Sequence, residues 1–526
     1  MWAPMEHFKR AIFISVLTAF VVSMLYACNR GKDASVDATE IKSIVATKYG
    51  KFVGKKQEGI IAFKGIPYAK PPVGELRWKE PINLEPGDRT FEAFEYGKVA
   101  IQVPASSELS SFTSQGENCL TLNVWTSDIT AKGKPVMVFI HGGSYGWGGA
   151  TDPIYDGQNF VQRRNDVILV TIQYRLNILG FMDVQDLGGE EYANSANLGL
   201  LDQIKALQWV KENIAGFGGD PGNVTIFGES CGGGSVSLLM TMPEAKGLFH
   251  KVISQSGAVN LSQSKANKNT LRKFLEVSGK STMKDILAIG EEEMRFINFK
   301  MEDAYSFPVR DGKLIPKDPY RTIQSGSAEG VKLLIGTNAN EWNYWKQEMP
   351  DFENNFPIRW EALAKNLNSP EINKYMRLRK EKSRLEQSLD LANDIGFRIP
   401  SILMAEDQSG HGDTYMYYFK WPSSIEGMGA CHAVELAFVF HNISGPATIY
   451  TGPNPPEALA DMIQDAWVNF AKTGNPGIEG VAWPKYDKKT RATMFIDKDK
   501  WEVVSDPGSE DRKLLEDICR KNIDLH

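Results

Sequence analysis

Several things that would mark a specialised chain are missing from these 526 residues. Positive charge is not in excess: the formal net charge is −6, and no basic face is available for a nucleic-acid partner. Cysteine is sparse, at five residues without close or regular spacing, which excludes a disulfide framework and a zinc ribbon. Setting Cys28 apart, a chain this long builds its core without staples, so Cys119, Cys231, Cys431 and Cys519 are expected as buried free thiols. There is no internal repeat and no heptad array, so solenoids and coiled coils are excluded. No Pro/Ser-rich linker divides the chain after residue 43, which leaves one large domain over 43–526. What is present, 42% hydrophobic and 24% charged residues, is the composition of an ordinary globular core-former.

The exception is the start. Lys9 and Arg10 precede an almost unbroken apolar run from Ala11 to Ala27 that ends in small residues, the layout of an export signal. A membrane-spanning helix is the competing reading, at the lower limit of length. The stretch "LYAC" resembles the lipobox of bacterial lipoproteins, which makes residues 1–27 a signal peptide and Cys28 the lipidated first residue. The polar segment 28–42 then serves as a flexible tether. The expectation is an exported protein of the bacterial cell envelope, in periplasm or outer membrane, touching membrane only through the lipid on Cys28.

From about residue 43 short apolar strands alternate with helical stretches, the pattern of an α/β fold with a mostly parallel sheet flanked by helices. The clearest strands are expected at 135–140, 166–174, 223–227, 332–337 and 414–419. An amphipathic helix is expected over 198–217, where Leu200, Ile204, Leu207 and Val210 recur at helical spacing. The segments 260–330 and 345–410 are helical and charged, and read as insertions capping the sheet.

"VTIFGESCGGGSV", residues 224–236, places Ser230 between a strand and a helix within G-x-S-x-G. In a nucleophile elbow the strand turns sharply into a helix and lifts the hydroxyl clear of the backbone. Glycines flank the serine because a neighbouring Cβ would clash in so tight a turn. The competing reading is a serine that caps a helix. A nucleophilic serine needs a base, and in this arrangement the base comes after it in the chain. His7 lies in the export signal, His141 precedes the serine, His250 follows it too closely and His526 ends the chain. His411, His432 and His441 remain; His432 follows a loop beyond a strand and leads a helix, where α/β folds collect catalytic groups. "HGGSYGWGG", 141–149, follows the strand "VMVFI" as an oxyanion loop should, with backbone N–H groups there and at Cys231 as donors.

Together these stretches resemble the type B carboxylesterase/cholinesterase family of α/β-hydrolases. The resemblance runs from about residue 45 through "FKGIPYAKPPVGELRW", "ENCLTLNV", "YRLNILGF", "PVRDGKLIP", "GTNANEW", "GACHAVELAFVF" and "AWVNFAKTGNP". It implies the α/β-hydrolase fold with helical cap insertions, and a triad of Ser230, Glu341 and His432. It implies oxyanion donors at the N–H groups of Gly143, Ser144 and Cys231, and a structural ion pair between Arg175 and Asp202. Ser144 stands where relatives carry a third glycine, and Ile101 where Cys119 often finds a partner. The loop "ASSELSSFTSQGEN" lacks the tryptophan with which cholinesterases hold a quaternary ammonium, so acetylcholine is not an expected substrate.

The expected activity is hydrolysis of small-molecule esters by two-step acyl transfer, with no metal and no organic cofactor. An amidase or lactonase on the same triad is the nearest rival; a non-catalytic adhesion protein on this fold is the other. Glu229, beside the nucleophile, is a candidate for electrostatic tuning. Tyr145, Trp147, Trp342, Tyr344 and Trp345 are candidates for lining an apolar gorge.

Overall fold

Val136, Val138 and Ile140 fall in one buried apolar cluster and Met137 and Phe139 in another, although all five are consecutive on one strand. Side chains alternate across a strand, so a continuous apolar run buries both faces of a sheet that is covered on both sides. Val224 and Ile226 against Phe227, and Leu333 and Ile335 against Leu334, repeat the division.

The computed structural model describes residues 42–103, 114–266, 268–301, 307–349, 351–498 and 500–521. The expected signal peptide, Cys28 and all but the last residue of the expected tether lie outside them. The sheet begins with β1 (Lys42–Thr47), β2 (Gly50–Gln57), β3 (Ile60–Pro67), β4 (Thr90–Glu92) and β5 (Thr121–Thr126). It continues with β6 (Lys134–Ile140), β7 (Ile168–Ile172), β8 (Gly219–Glu229) and β9 (Lys251–Gln255). It ends with β10 (Lys332–Asn338), β11 (Thr414–Phe419), β12 (Ala492–Ile496) and β13 (Trp501–Ser505). The order across the sheet is β1-β2-β3-β5-β7-β6-β8-β9-β10-β11-β12-β13, with β4 beside β2. Strands β7 to β12 pair in parallel, and the antiparallel pairs sit at the two ends. All five strands expected from sequence are present, and β8 runs further than expected, to the residue before Ser230.

The helix expected over 198–217 is Leu198–Asn213, continued by a tight turn Ile214–Phe217 and closed by Gly218 at φ 95°. It differs from expectation in being buried nearly all round, Leu198, Leu201 and Trp209 included. The reason lies in the N-terminal strands: Phe52 of β2 meets the Trp209 ring edge-on at 6.3 Å, and Phe217 packs on the same ring at 5.8 Å. A stripe expected to face one sheet is enclosed by a second layer that periodicity does not reveal.

Helices fill both expected insertions, among them Glu291–Lys300 in the first and Phe352–Leu367 in the second. The first is latched from below. Buried Arg77 binds Glu117 twice, at 2.5 and 2.6 Å, and donates to the carbonyls of Ile286 and Ile289. Glu291 accepts from the Glu117 N–H at 3.2 Å, and Arg295 donates to the Gln115 carbonyl at 2.5 Å.

The Arg175–Asp202 pair is formed as the resemblance implied: Nε and Nη2 reach the two carboxylate oxygens at 2.8 and 2.7 Å. Both side chains are buried, so removing one partner leaves an uncompensated charge in the core. Asp202→Ala is therefore expected to lower unfolding free energy by about 3–5 kcal/mol, measured by urea denaturation. A loss below about 1 kcal/mol, the size of an exposed pair, would show that the ion pair does not brace this core.

Candidate active site

Parallel α/β sheets gather their functional groups at the carboxyl ends of the strands. Here Glu229 ends β8, the next residue is Ser230, and the helix Cys231–Leu239 begins at once. Ser230 takes φ 56° and ψ −125°, a strained conformation for a residue with a side chain, worth on the order of 1–3 kcal/mol. The turn is held by Ser230 N–H donating to the Gln255 carbonyl at 2.9 Å and Gly234 N–H donating to the Ser230 carbonyl at 2.8 Å. The surrounding glycines are a matter of space. A Cβ on Gly232 would run into the Ile140 carbonyl oxygen, and one on Gly228 would stand 2.5 Å from the Gly232 backbone.

The loop after β6 brings the second component. Gly143, Ser144 and Tyr145 follow one another at φ 103°, 52° and 55°. The turn is tied by Gly146 and Trp147 N–H groups, both 2.9 Å from the Gly143 carbonyl, and by Asn177 N–H, 2.7 Å from the Tyr145 carbonyl. Ser144 thus holds a left-handed conformation, at the position where the family resemblance led to the expectation of a glycine. Among the described residues no oxygen accepts from the N–H groups of Gly143, Ser144 or Cys231. The buried Cys231 thiol lies within reach of the Ser144 and Tyr145 N–H groups and the Ser230 hydroxyl.

Glu341 follows the end of β10, and His432 lies in the loop beyond β11. Glu341 is wholly buried and its Oε2 is 2.6 Å from His432 Nδ1, while its Oε1 accepts from Ser256 Oγ and Asn338 N–H, each at 2.7 Å. On the other side of the imidazole, Nε2 is 3.2 Å from Glu229 Oε1, at an angle that makes no proper hydrogen bond. Ser230, His432, Glu229, Gly143 and Ser144 line one cavity.

Other histidines among the described residues are engaged elsewhere. His411 pairs with Glu329 at 2.7 Å, and His441 lies 3.0 Å from Asp461. His141 bonds its Nδ1 to the Gly142 carbonyl, and burial pulls its basicity down to about 4. Cys119, Cys231, Cys431 and Cys519 are buried free thiols, as expected. Of the aromatic candidates, Trp147, Tyr344 and Trp345 line the cavity. Tyr145 and Trp342 do not: Tyr145 packs against Phe181 and Phe307, and Trp342 against Phe356 and Trp360, because each ring turns into the core beside the loop that carries it.

Sequence reasoning passed over four polar residues. Ser256 and Asn338 hold Glu341, while Glu435 accepts from Asn338 at 2.6 Å and from Gln255 at 3.0 Å. Asp152 lines the cavity. Asn338 and Glu435 stand inside the stretches "GTNANEW" and "GACHAVELAFVF" but carry no local signal of a role, while Ser256 and Asp152 lie in none of the quoted motifs.

Comparisons with known proteins place the chain in a family. Residues 41–511 match the model of the carboxylesterase family. The para-nitrobenzyl esterase of Bacillus subtilis is 38% identical, over 90% of this chain and 98% of that protein. The liver carboxylesterase of Sus scrofa is 32% identical over 90% of this chain and 91% of its own length. Among solved structures, a thermophilic PNB esterase superposes with a TM-score of 0.81 at 37% identity, covering 90% of this chain and 99% of that one. A carboxylesterase of Geobacillus stearothermophilus superposes with a TM-score of 0.82 at 34% identity and the same coverage. The chain belongs to the carboxylesterase family, with its α/β-hydrolase fold, and is a carboxylic ester hydrolase.

The electrostatics of the imidazole can be tested directly. Burial opposes its protonation, but the carboxylates of Glu229, Glu341 and Glu435 outweigh burial and raise its pKa. Burial likewise raises the pKa of Glu229 itself. In Glu229→Gln one of the raising charges is gone, so the His432 titration seen by imidazole NMR is expected to move to lower pH. An unmoved midpoint would mean that Glu229 exerts no field on the ring.

Proposed function

We infer that the protein hydrolyses small-molecule carboxylic esters by two-step acyl transfer through Ser230, His432 and Glu341. The observation that carries this reading is the His432 imidazole, bound at Nδ1 to Glu341 at 2.6 Å and lining the same cavity as Ser230. With Nδ1 held, Nε2 is the working nitrogen. It takes the Ser230 proton as Oγ attacks the ester carbonyl, and the N–H groups of Gly143, Ser144 and Cys231 receive the oxyanion. His432 then gives the proton to the departing alcohol, and a water repeats the sequence to release the acid. Glu341 keeps the imidazole in the useful tautomer and stabilises its cation. The relatives named as para-nitrobenzyl esterase and liver carboxylesterase support esters as the substrate class.

The reading extends to the start of the chain. Lys9 and Arg10, the apolar run and "LYAC" make residues 1–27 a lipoprotein signal, with Cys28 lipidated and the catalytic domain tethered at a bacterial envelope membrane. Each buried methylene of the lipid supplies about 0.8 kcal/mol of anchorage.

Two measurements test these statements. Ser230→Ala and His432→Ala are expected to lose kcat on the order of 10⁶-fold and Glu341→Ala somewhat less, with small changes in KM, because the three act as a unit. An organophosphate is expected to label Ser230. Near-wild-type turnover in Ser230→Ala, or a dead His441→Ala beside an active His432→Ala, would overturn the assignment. Separately, the wild-type protein is expected in the membrane fraction, acylated at Cys28 and beginning there, and Cys28→Ser in the soluble fraction. A mature chain that keeps Met1, or one that is soluble and starts elsewhere, would overturn the lipid anchor.

A further inference from the structure

The loop that carries two of the oxyanion donors is held in a shape its own residues disfavour. Gly143, Ser144 and Tyr145 are left-handed in succession, and two of the three bear a side chain. Residues 141–149 belong to no strand, so no ladder fixes them and their shape depends on bonds from outside. Gln102 supplies such bonds on two sides at once. Its side chain is buried; Oε1 accepts from Gly148 N–H at 2.8 Å, and Nε2 donates to the Gly148 carbonyl at 2.9 Å. The amide thus pairs with Gly148 in both directions, as the facing residue of an antiparallel strand would. Nε2 also donates to the Ala100 carbonyl at 3.0 Å. A second amide ties the near end: Asn177 Nδ2 donates to the Ile101 carbonyl at 2.6 Å, while its backbone N–H holds the Tyr145 carbonyl. The segment 100–102 and the loop 143–148 are therefore one hydrogen-bonded unit.

Pinning Gly148 matters because of what it rests on. A Cβ there would stand 2.8 Å from the Gly142 carbonyl oxygen and 2.9 Å from His141 Nδ1. One on Gly142 would stand 3.0 Å from Ser230 Cβ. Contact therefore runs without a gap from Gln102 through Gly148 and Gly142 to the elbow, and Gly143 is the next residue. Donors stabilise a developing oxyanion best when they need not reorient as the charge appears. We propose that Gln102 is a positioning residue that keeps the oxyanion loop in its donating shape, acting through Gly148 and not on the reacting atoms. The proposal rests on Ser230 as nucleophile and on Gly143 and Ser144 as donors, and adds what holds those donors in place. Gln102 also lines the cavity, so its test must separate support of the loop from contact with substrate.

Gln102→Met removes both pairings at nearly constant volume. Its kcat is expected to fall at least about tenfold, as for misplaced catalytic donors, with KM changed less than about threefold. The fall is expected to agree within about threefold for phenyl acetate and phenyl butyrate, because every ester offers the same oxygen to the loop. Trifluoroacetophenone and acetophenone supply the second readout. Ser230 Oγ adds to the trifluoro ketone as its proton passes to His432, which leaves a tetrahedral oxyanion in the hole; acetophenone binds without addition. Affinity for the first is expected to weaken by the factor lost in kcat/KM, and affinity for the second to stay unchanged. Where Gln102→Met does not unfold cooperatively in urea, Asn177→Gly is read in the same way, since it tolerates the φ of 46° and keeps the bond to Tyr145 but loses the tie to Ile101. A smaller fall in kcat overturns the proposal, as does a loss confined to KM. So does a fall that differs between the two esters by more than about threefold, the mark of substrate contact, or equal weakening of both ketones. Turnover retained in Ser230→Ala overturns instead the reading of the site on which the proposal stands.

Discussion

Everything at the active site depends on how closely the backbone of Gly232 lies on the carbonyl of Ile140. Strands β6 and β8 are neighbours in register, Ile140 opposite Gly228, so the helix that starts at Cys231 must turn back across the end of β6. Only a chain without side chains on that surface makes the turn, which is why glycines surround the one hydroxyl. The same proximity places the loop Gly143–Tyr145, which leaves β6, beside Ser230, which leaves β8. On the far side β9 contributes the Gln255 carbonyl that fixes Ser230 N–H. A strained dihedral at one serine is thus maintained by three adjacent strands, and the strain is the means by which Oγ stands clear.

Around this turn the protein distributes carboxyl groups in unequal circumstances. Glu341 accepts from a hydroxyl, a backbone N–H and an imidazole. Glu435 accepts from two side-chain amides, and burial still raises its pKa. Glu229 has His432 Nε2 3.2 Å from Oε1, which accepts no proper hydrogen bond among the described residues. Three acids of one chemical type are therefore given unequal numbers of donors, and burial raises the pKa of both Glu229 and Glu435.

What could be read from the sequence follows from the same distinction between local and distant constraint. The elbow at Ser230 and the loop at Gly143 were legible because a tight backbone demands particular residues at adjacent positions. The strands were legible because burial on both faces demands unbroken apolar runs. His432 was half legible, by its loop beyond a strand. Glu341 was not legible from residues alone, since one carboxylate among many is picked out only by strand β10 lying beside β9 and β11; the family resemblance supplied it. Ser256 stayed hidden for the same reason, and Asn338 and Glu435 because a single polar residue inside a longer motif gives no sign of what it holds. The burial of the outer side of the helix Leu198–Asn213 was missed because the strands that cover it lie far earlier in the chain.

The Arg77 latch carries a consequence for how molecules enter and leave. Hydrogen bonds from a guanidinium to buried carbonyls are worth about 1.5–3 kcal/mol each after exchange with water. Swinging the first insertion away as a hinged door would strip Arg77 from Ile286 and Ile289 together, and part Glu291 and Arg295 from the segment bearing Glu117. That side of the molecule is bolted from within. Access to Ser230 then falls to other parts of the cavity wall, whose lining includes the rings of Trp147 and Tyr344.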